Sequence, residues 1–274
     1  MEYIYRYDNV TSFYNDATKE PSELLTYRAS QSPDQADWRG SNSFEETCQR
    51  YVRGFPDGTA EARKLALKLT PFVRSVKSTK RGWKPSMHAG GNFILDAYNR
   101  GIPECCNTMQ PVVSKKFASL ILNGSIHSGV SSEVVLRRGI AVVALSQILE
   151  QHGYRVAIKW CDSTGSFNGL DTLHTIVTVK EFNQPAELDR LSFFLADTSM
   201  ERRLYFAWQE ASKHGKSIVA ASYGQAIELP ASEISPNDIY LGCASASASH
   251  WYSIDTAQAW IKETLKRYGV EFYG

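Results

Sequence analysis

The stretch from Lys116 to Asp162 constrains the fold more than any other part of the chain. Phe117-Ala-Ser-Leu-Ile-Leu-Asn123 is a short apolar run that stops at Asn-Gly, and Gly124-Ser-Ile-His-Ser-Gly-Val-Ser-Ser132 has loop composition. Ser131 or Ser132 can cap a helix from about Glu133 to Gln151, with the Glu133 carboxylate in the first turn where the helix dipole favours it. Val134, Leu136, Ile140, Val143, Ala144, Ile148 and Leu149 are too dense for a single stripe, so the helix is expected to be buried around much of its circumference. His152-Gly153 ends it, and Tyr154-Arg-Val-Ala-Ile-Lys-Trp160 follows as a strand. Strand, buried helix and strand in this order make a βαβ unit. The fold class that follows is α/β, a mostly parallel wound sheet with an N-terminal helical lead-in.

At 274 residues the chain can bury a full core without disulfide or metal staples. Lys and Arg (30) nearly cancel Asp and Glu (29), so affinity for a polyanion has to come from a local patch. Five cysteines and a Met1-Glu-Tyr-Ile-Tyr start without a leader pattern set the expectation of free thiols in a reducing, cytoplasmic compartment. No apolar run approaches the ~20 residues of a membrane-spanning helix.

The sequence divides into an aromatic arm and connector over 1–35, a helical lead-in over 36–110 and an α/β core over 111–274. In the arm, Tyr3, Tyr5 and Tyr7 alternate as they would in a strand or a packing arm. Ser41 or Ser43 starts one lead-in helix, and Thr59 is expected to cap a second. Between Arg63 and Lys84 lie eight cations and no acid, the largest charge irregularity in a balanced chain. Ser75, Ser78, Thr79 and Gly82 give its second half the composition of a loop. Cations beside an aromatic suit a single-stranded nucleic acid, so Arg74, Lys77, Lys80, Arg81 and Lys84 are the candidate phosphate contacts and Trp83 the candidate stacking residue. A solvated helix face followed by a surface loop accounts for the same residues without a ligand.

Asp37-Trp-Arg-Gly-Ser-Asn-Ser-Phe-Glu-Glu46 with Gly54-Phe-Pro56, Asp96-Ala-Tyr-Asn-Arg-Gly-Ile-Pro-Glu-Cys105, Arg138-Gly-Ile-Ala-Val-Val-Ala-Leu145 with Leu149-Glu-Gln-His-Gly-Tyr-Arg-Val156, and Met200-Glu-Arg-Arg203 form a set. Over roughly Asp37 to Glu210 the chain resembles a family of uncharacterised proteins of tailed bacteriophages, which implies a life in the cytoplasm of an infected bacterium. The layout also resembles a von Willebrand A-like or Rossmann-like core. In the former, an Asp-x-Ser-x-Ser loop holds a metal; here those positions are Asn123, Ser125 and His127, and loss of the acid argues against a hard cation. A looser similarity is to the single-stranded-DNA-binding cofactors that bring podovirus-encoded RNA polymerases to promoters.

Ligands of wound sheets sit at the carboxyl ends of the strands. Here that edge gathers Ser125, His127, Asp162, Ser163, Ser245, His250 and Trp251, with Cys161-Asp-Ser-Thr-Gly-Ser-Phe-Asn-Gly-Leu170 read as a long loop. No Gly-x-Ser-x-Gly elbow, Walker loop or Gly-x-Gly-x-x-Gly is present. The sequence therefore points to a non-enzymatic, cofactor-free accessory protein. Its partners would be single-stranded DNA or RNA and a phage or host polymerase or other replication protein, away from any membrane. A protein-interaction scaffold, or a hydrolase or metal-dependent enzyme at the sheet edge, are the alternatives.

Overall fold

A computed structural model of the chain describes residues 1–20, 28–69, 73–75, 79–87, 92–113, 116–215, 218, 223–245 and 251–272. Backbone alone is described over 73–75 and 79–85, at 92, over 107–113 and at 271–272. The chain divides into a larger unit, 1–74 with 117–274, and a smaller one, 75–116.

The larger unit is mixed α/β around six strands: β1 (Glu2–Tyr7), β6 (Lys116–Asn123), β7 (Tyr154–Gly165), β8 (Thr172–Lys180), β9 (Gln225–Ala226) and β10 (Asp238–Leu241). Their order is β1-β8-β7-β6-β10, with β9 added to β7. The β1–β8 and β6–β10 pairs are parallel, and β7 pairs antiparallel with β8 and β9. Beyond the end of β6, the Gly124 N–H reaches the Cys161 carbonyl and Ser125 lies beside Ser163, so β6 and β7 also run parallel.

Helix α6 (Ser132–Gln151) makes that crossover. Ser131 caps it through the Val134 N–H, and Gly153 follows at φ +83, as the sequence implied. Ile140 through Leu145 are buried in succession, which a helix enclosed on several sides requires. Gly139 permits the closest approach, since a Cβ there would lie 2.0 Å from the Leu195 carbonyl oxygen of α7 (Leu188–Ala196).

Strand alternation sorts the two faces of the sheet. Leu120, Leu122, Val156, Ile158, Trp160, Leu173 and Val177 join the main core with α6, α7 and α1 (Val10–Ala17). Ile121, Cys161 and Ile176 form a smaller cluster on the other face with Leu229. The tyrosine alternation is a strand: Tyr3, Tyr5 and Tyr7 pack against the main core, and the Trp208 indole donates to the Tyr7 hydroxyl at 2.7 Å.

The lead-in contains a short α2 (Ala36–Arg39), α3 (Phe44–Arg53) and α4 (Pro56–Leu69). Ser43 caps α3 through the Glu46 N–H. α4 begins at Pro56, three residues before the expected Thr59 cap, because a proline in the first turn gives up no helical hydrogen bond. After α7 the chain forms a π-helical segment, Met200–Tyr205, running into α8 (Phe206–Ala211). α9 (Ile254–Arg267) follows β10 and is capped by Ser253, and β11 (Val270–Phe272) pairs with β2 (Val73–Ser75). The five cysteines are free. Among the described residues no helix is long and apolar enough to cross a membrane.

The smaller unit is a three-stranded sheet of order β3-β5-β4: β3 (Thr79–Ser86), β4 (Asn92–Phe93) and β5 (Cys106–Val113). A one-and-a-half-turn helix, α5 (Leu95–Asn99), follows β4 and closes at Gly101, φ +67.

Candidate functional site

The basic segment is distributed over both units. Arg74 lies on β2, Lys77 is outside the described residues, and Lys80, Arg81, Trp83 and Lys84 lie on β3. The loop expected here is a strand from Thr79 onward. Every residue from Thr79 to Ser86 is paired antiparallel with β5, from Val113 back to Cys106, and these long-range partners override the local turn composition. A strand rises about 3.3 Å per residue, so Lys80 and Lys84 are about 13 Å apart along an extended backbone. The 42 residues of this unit carry seven Lys or Arg (77, 80, 81, 84, 100, 115, 116) and two Asp or Glu (96, 104), a net +5. The rest of the chain then has 23 against 27, a net −4, so the near-neutral total conceals two units of opposite sign.

The carboxyl edge of the main sheet offers much less to a ligand. β7 continues to Gly165, so Asp162 and Ser163 belong to a strand and not to the expected loop. Ser163 stands opposite His174 on β8, its hydroxyl 2.9 Å from His174 Nδ1, and His174 Nε2 is 3.5 Å from Glu2. This serine–histidine–glutamate chain is a cross-strand link: Ser163 is fully buried and His174 nearly so. Burial lowers the His174 pKa, with Glu2 pulling the other way. Ser125 is also buried; its Oγ donates to the Ser163 carbonyl at 2.8 Å and accepts from the Ser163 N–H. Asn123 accepts from the Ser125 N–H and donates to the Ile227 carbonyl and the Tyr240 hydroxyl. Asn123 and Ser125 are thus engaged in joining strand ends, while His127 is exposed. Trp251 is buried against Trp260, and His250 lies outside the described residues. Among the described residues no three His, Cys, Asp or Glu side chains are grouped to hold a metal ion.

Beneath this edge is a cluster that sequence reasoning missed. Asp162 points to the helical side, under the π-helical segment, and both its carboxylate oxygens lack a hydrogen-bond partner. Desolvation pushes its pKa up to about 7, while the neighbouring Tyr205 and Ser125 hydroxyls pull down without closing a bond. Burial raises Glu201 well above the carboxylate range; Arg202, 3.6 Å away, opposes this and the Asp162 charge adds to it. A single π-helical turn brings Glu201, Arg202, Arg203 and Tyr205 inside together, a geometry enriched at functional sites. The adjoining cavity, about 20 Å³ beside Glu201, Arg138 and Trp160, has room for one water. A groove of about 280 Å³ at the start of α1 is larger, but Lys180 on its wall is bound to Glu150 at 2.7 Å and Arg190 to Glu187 at 3.2 Å.

The model of a family described as Domain of unknown function (DUF7192) matches residues 1–271. The chain belongs to the DUF7192 family. The matched span includes both units. No curated protein and no solved structure matches the chain.

In this DUF7192 protein the motif residues singled out in the sequence hold the framework. The fully buried Arg138 guanidinium donates to the carbonyls of Asn123, Leu241 and Gly242 and ties the ends of β6 and β10 together; burial lowers its pKa to about 10. Arg202 lies over the Trp38 ring at 4.0 Å and donates to the Trp38 and Val130 carbonyls. Arg203 donates to the carbonyls of Ser30, Ser32 and Ser41. Gly40 ends α2 at φ +79, where a Cβ would lie 2.8 Å from the Ser199 nitrogen. The paired arginines and the Trp-Arg-Gly turn are therefore one interlocked structure that fastens residues 29–41 to the π-helical segment.

Proposed function

We propose that this protein is a non-enzymatic accessory factor that holds single-stranded nucleic acid on its 75–116 unit. The larger unit is then a core of von Willebrand A-like type without the metal. The observation that carries the reading is the charge segregation, +5 in 42 residues against −4 elsewhere, with four of the candidate contacts in register on one paired strand. Lys80 and Lys84 fall on one face of the strand at a fixed spacing and Arg81 and Trp83 on the other, and neutralising phosphates releases counterions. The buried state of Ser163, His174, Asp162 and Glu201 favours this over a hydrolase at the sheet edge. In a phage-infected cell such a factor would present the strand to a polymerase or replication partner.

Fluorescence anisotropy with a labelled oligothymidine of about 20 nucleotides, longer than a single-strand module covers, tests the reading. The wild-type chain is expected to bind in low salt, and Lys80→Ala with Arg81→Ala to weaken binding at least about fivefold at near-physiological salt. A double variant that binds like the wild type removes β3 from the interface and refutes the proposal.

A further inference from the structure

We propose that Phe93 and Tyr98 form a base-stacking platform in the 75–116 unit, so that its ligand must carry unpaired bases. The inference rests on the nucleic-acid reading above and names the kind of strand the unit selects.

The two rings are held by opposite ends of a short strand-to-helix connection. Phe93 on β4 is paired with Cys106 of β5, and the Ile94 N–H donates to the Cys105 carbonyl at 2.8 Å. One turn later the Tyr98 N–H donates to the Ile94 carbonyl at 3.1 Å, which fixes the start of α5. The ring centroids are 5.4 Å apart with planes inclined at 54°. Both side chains face water, Phe93 at 55% and Tyr98 at 62% of full exposure, and Leu95 and Ile102 beside them in sequence are exposed too. Aromatic residues left in solvent by a well-anchored backbone mark a contact surface.

The net charge of the unit as a whole argues for the occupant. An apolar protein partner would have to cover a unit of net charge +5, whereas a nucleic-acid strand brings both the phosphates that those cations neutralise and flat faces for the rings. The acid between the two residues in sequence, Asp96, is bound by Arg100, so its repulsion toward phosphate is offset locally. A base inside a duplex keeps both faces against its neighbours and cannot stack on a side chain, so the platform discriminates single strands from double.

The experiment compares oligothymidine, a matched duplex and an abasic oligonucleotide of the same length on the full-length chain. Phe93→Ala with Tyr98→Ala is expected to weaken oligothymidine binding about tenfold or more, to the level at which the wild type binds the abasic strand, and to leave duplex binding unchanged. The salt dependence stays as in the wild type, because the rings neutralise no phosphate. Phe93→Tyr with Tyr98→Phe keeps both rings and should retain full affinity. Equal affinity of wild type and the double-alanine variant for oligothymidine overturns the platform while leaving the nucleic-acid reading intact. Loss in both variants alike also overturns it, as does concentration-dependent self-association that the alanines abolish while strand binding persists. Absence of any binding by the wild type in low salt defeats the underlying reading instead.

Discussion

Replacing Asp162 by asparagine should stabilise the protein, and increasingly so as the pH rises. Asp162 is fully buried and no hydrogen bond reaches its carboxylate, so desolvation moves its pKa from 3.8 to about 7. The folded chain therefore binds this proton more tightly than the unfolded chain. Below about pH 4 both states are protonated and the group costs nothing; between about 4 and 7 the unfolded state releases the proton and the folded state does not, so stability falls; above about 7 the loss is complete. With 1.36 kcal/mol per pKa unit, a rise of roughly three units makes the full penalty on the order of 4 kcal/mol, about 3 kcal/mol of which develops between pH 5 and 8. Glu201, raised by burial and by the Asp162 charge, acts with the same sign. His174 opposes it: its pKa is lowered, so its contribution is lost as the pH falls through the histidine range. The difference between wild type and Asp162→Asn cancels the histidine. Urea unfolding at pH 5, 6.5 and 8 should show the variant gaining on the wild type at each step, by about 3 kcal/mol in all. A variant that is less stable than the wild type at pH 8 would mean that the ionised carboxylate is favourably held, and the reasoning would be wrong.

The framework makes further predictions. Gly139→Ala should cost about 3 kcal/mol or prevent folding, since its Cβ would meet the α7 backbone at 2.0 Å; a melting temperature within a degree of wild type contradicts the packing of α6. Arg138→Ala strands two buried carbonyls and one half-buried one and should destabilise by about 3 kcal/mol, read by chemical unfolding. Arg202→Lys keeps the charge but loses the planar fork over Trp38 and should cost about 1–2 kcal/mol, with no loss in Trp38→Phe beyond that of the indole contacts when the two are combined.

The βαβ unit was legible because its signals agree: Ser131 as cap, an apolar density that only a buried helix tolerates, and Gly153 at the left-handed stop. The tyrosines of β1 were legible from their period of two. The far half of β7 was not, because Asp162, Ser163 and Gly165 read as loop and outweigh the β-branched Thr164; their conformation is set by pairing with β8 on one side and β9 on the other. The same holds for β3, whose serine, threonine and glycine read as turn until β5 lies alongside. Burial of Asp162 and Glu201 depends on a π-helical turn, which shifts side chains off the ordinary helical period and leaves no sequence pattern to find. The cation cluster was visible as composition. Its segregation into one unit of net +5 needed the unit's boundaries, and the Phe93–Tyr98 pair needed the junction of β4 and α5, which brings two residues five apart in sequence into ring contact.

Salt dependence of strand binding tests the central claim most directly. If Lys77, Lys80, Arg81 and Lys84 neutralise one phosphate each, log affinity for oligothymidine should fall against log salt with a slope of about −3, and each alanine replacement should reduce the slope by about 0.7. A slope near zero, or binding that persists unchanged when all four are replaced, would show that these cations do not hold the nucleic acid.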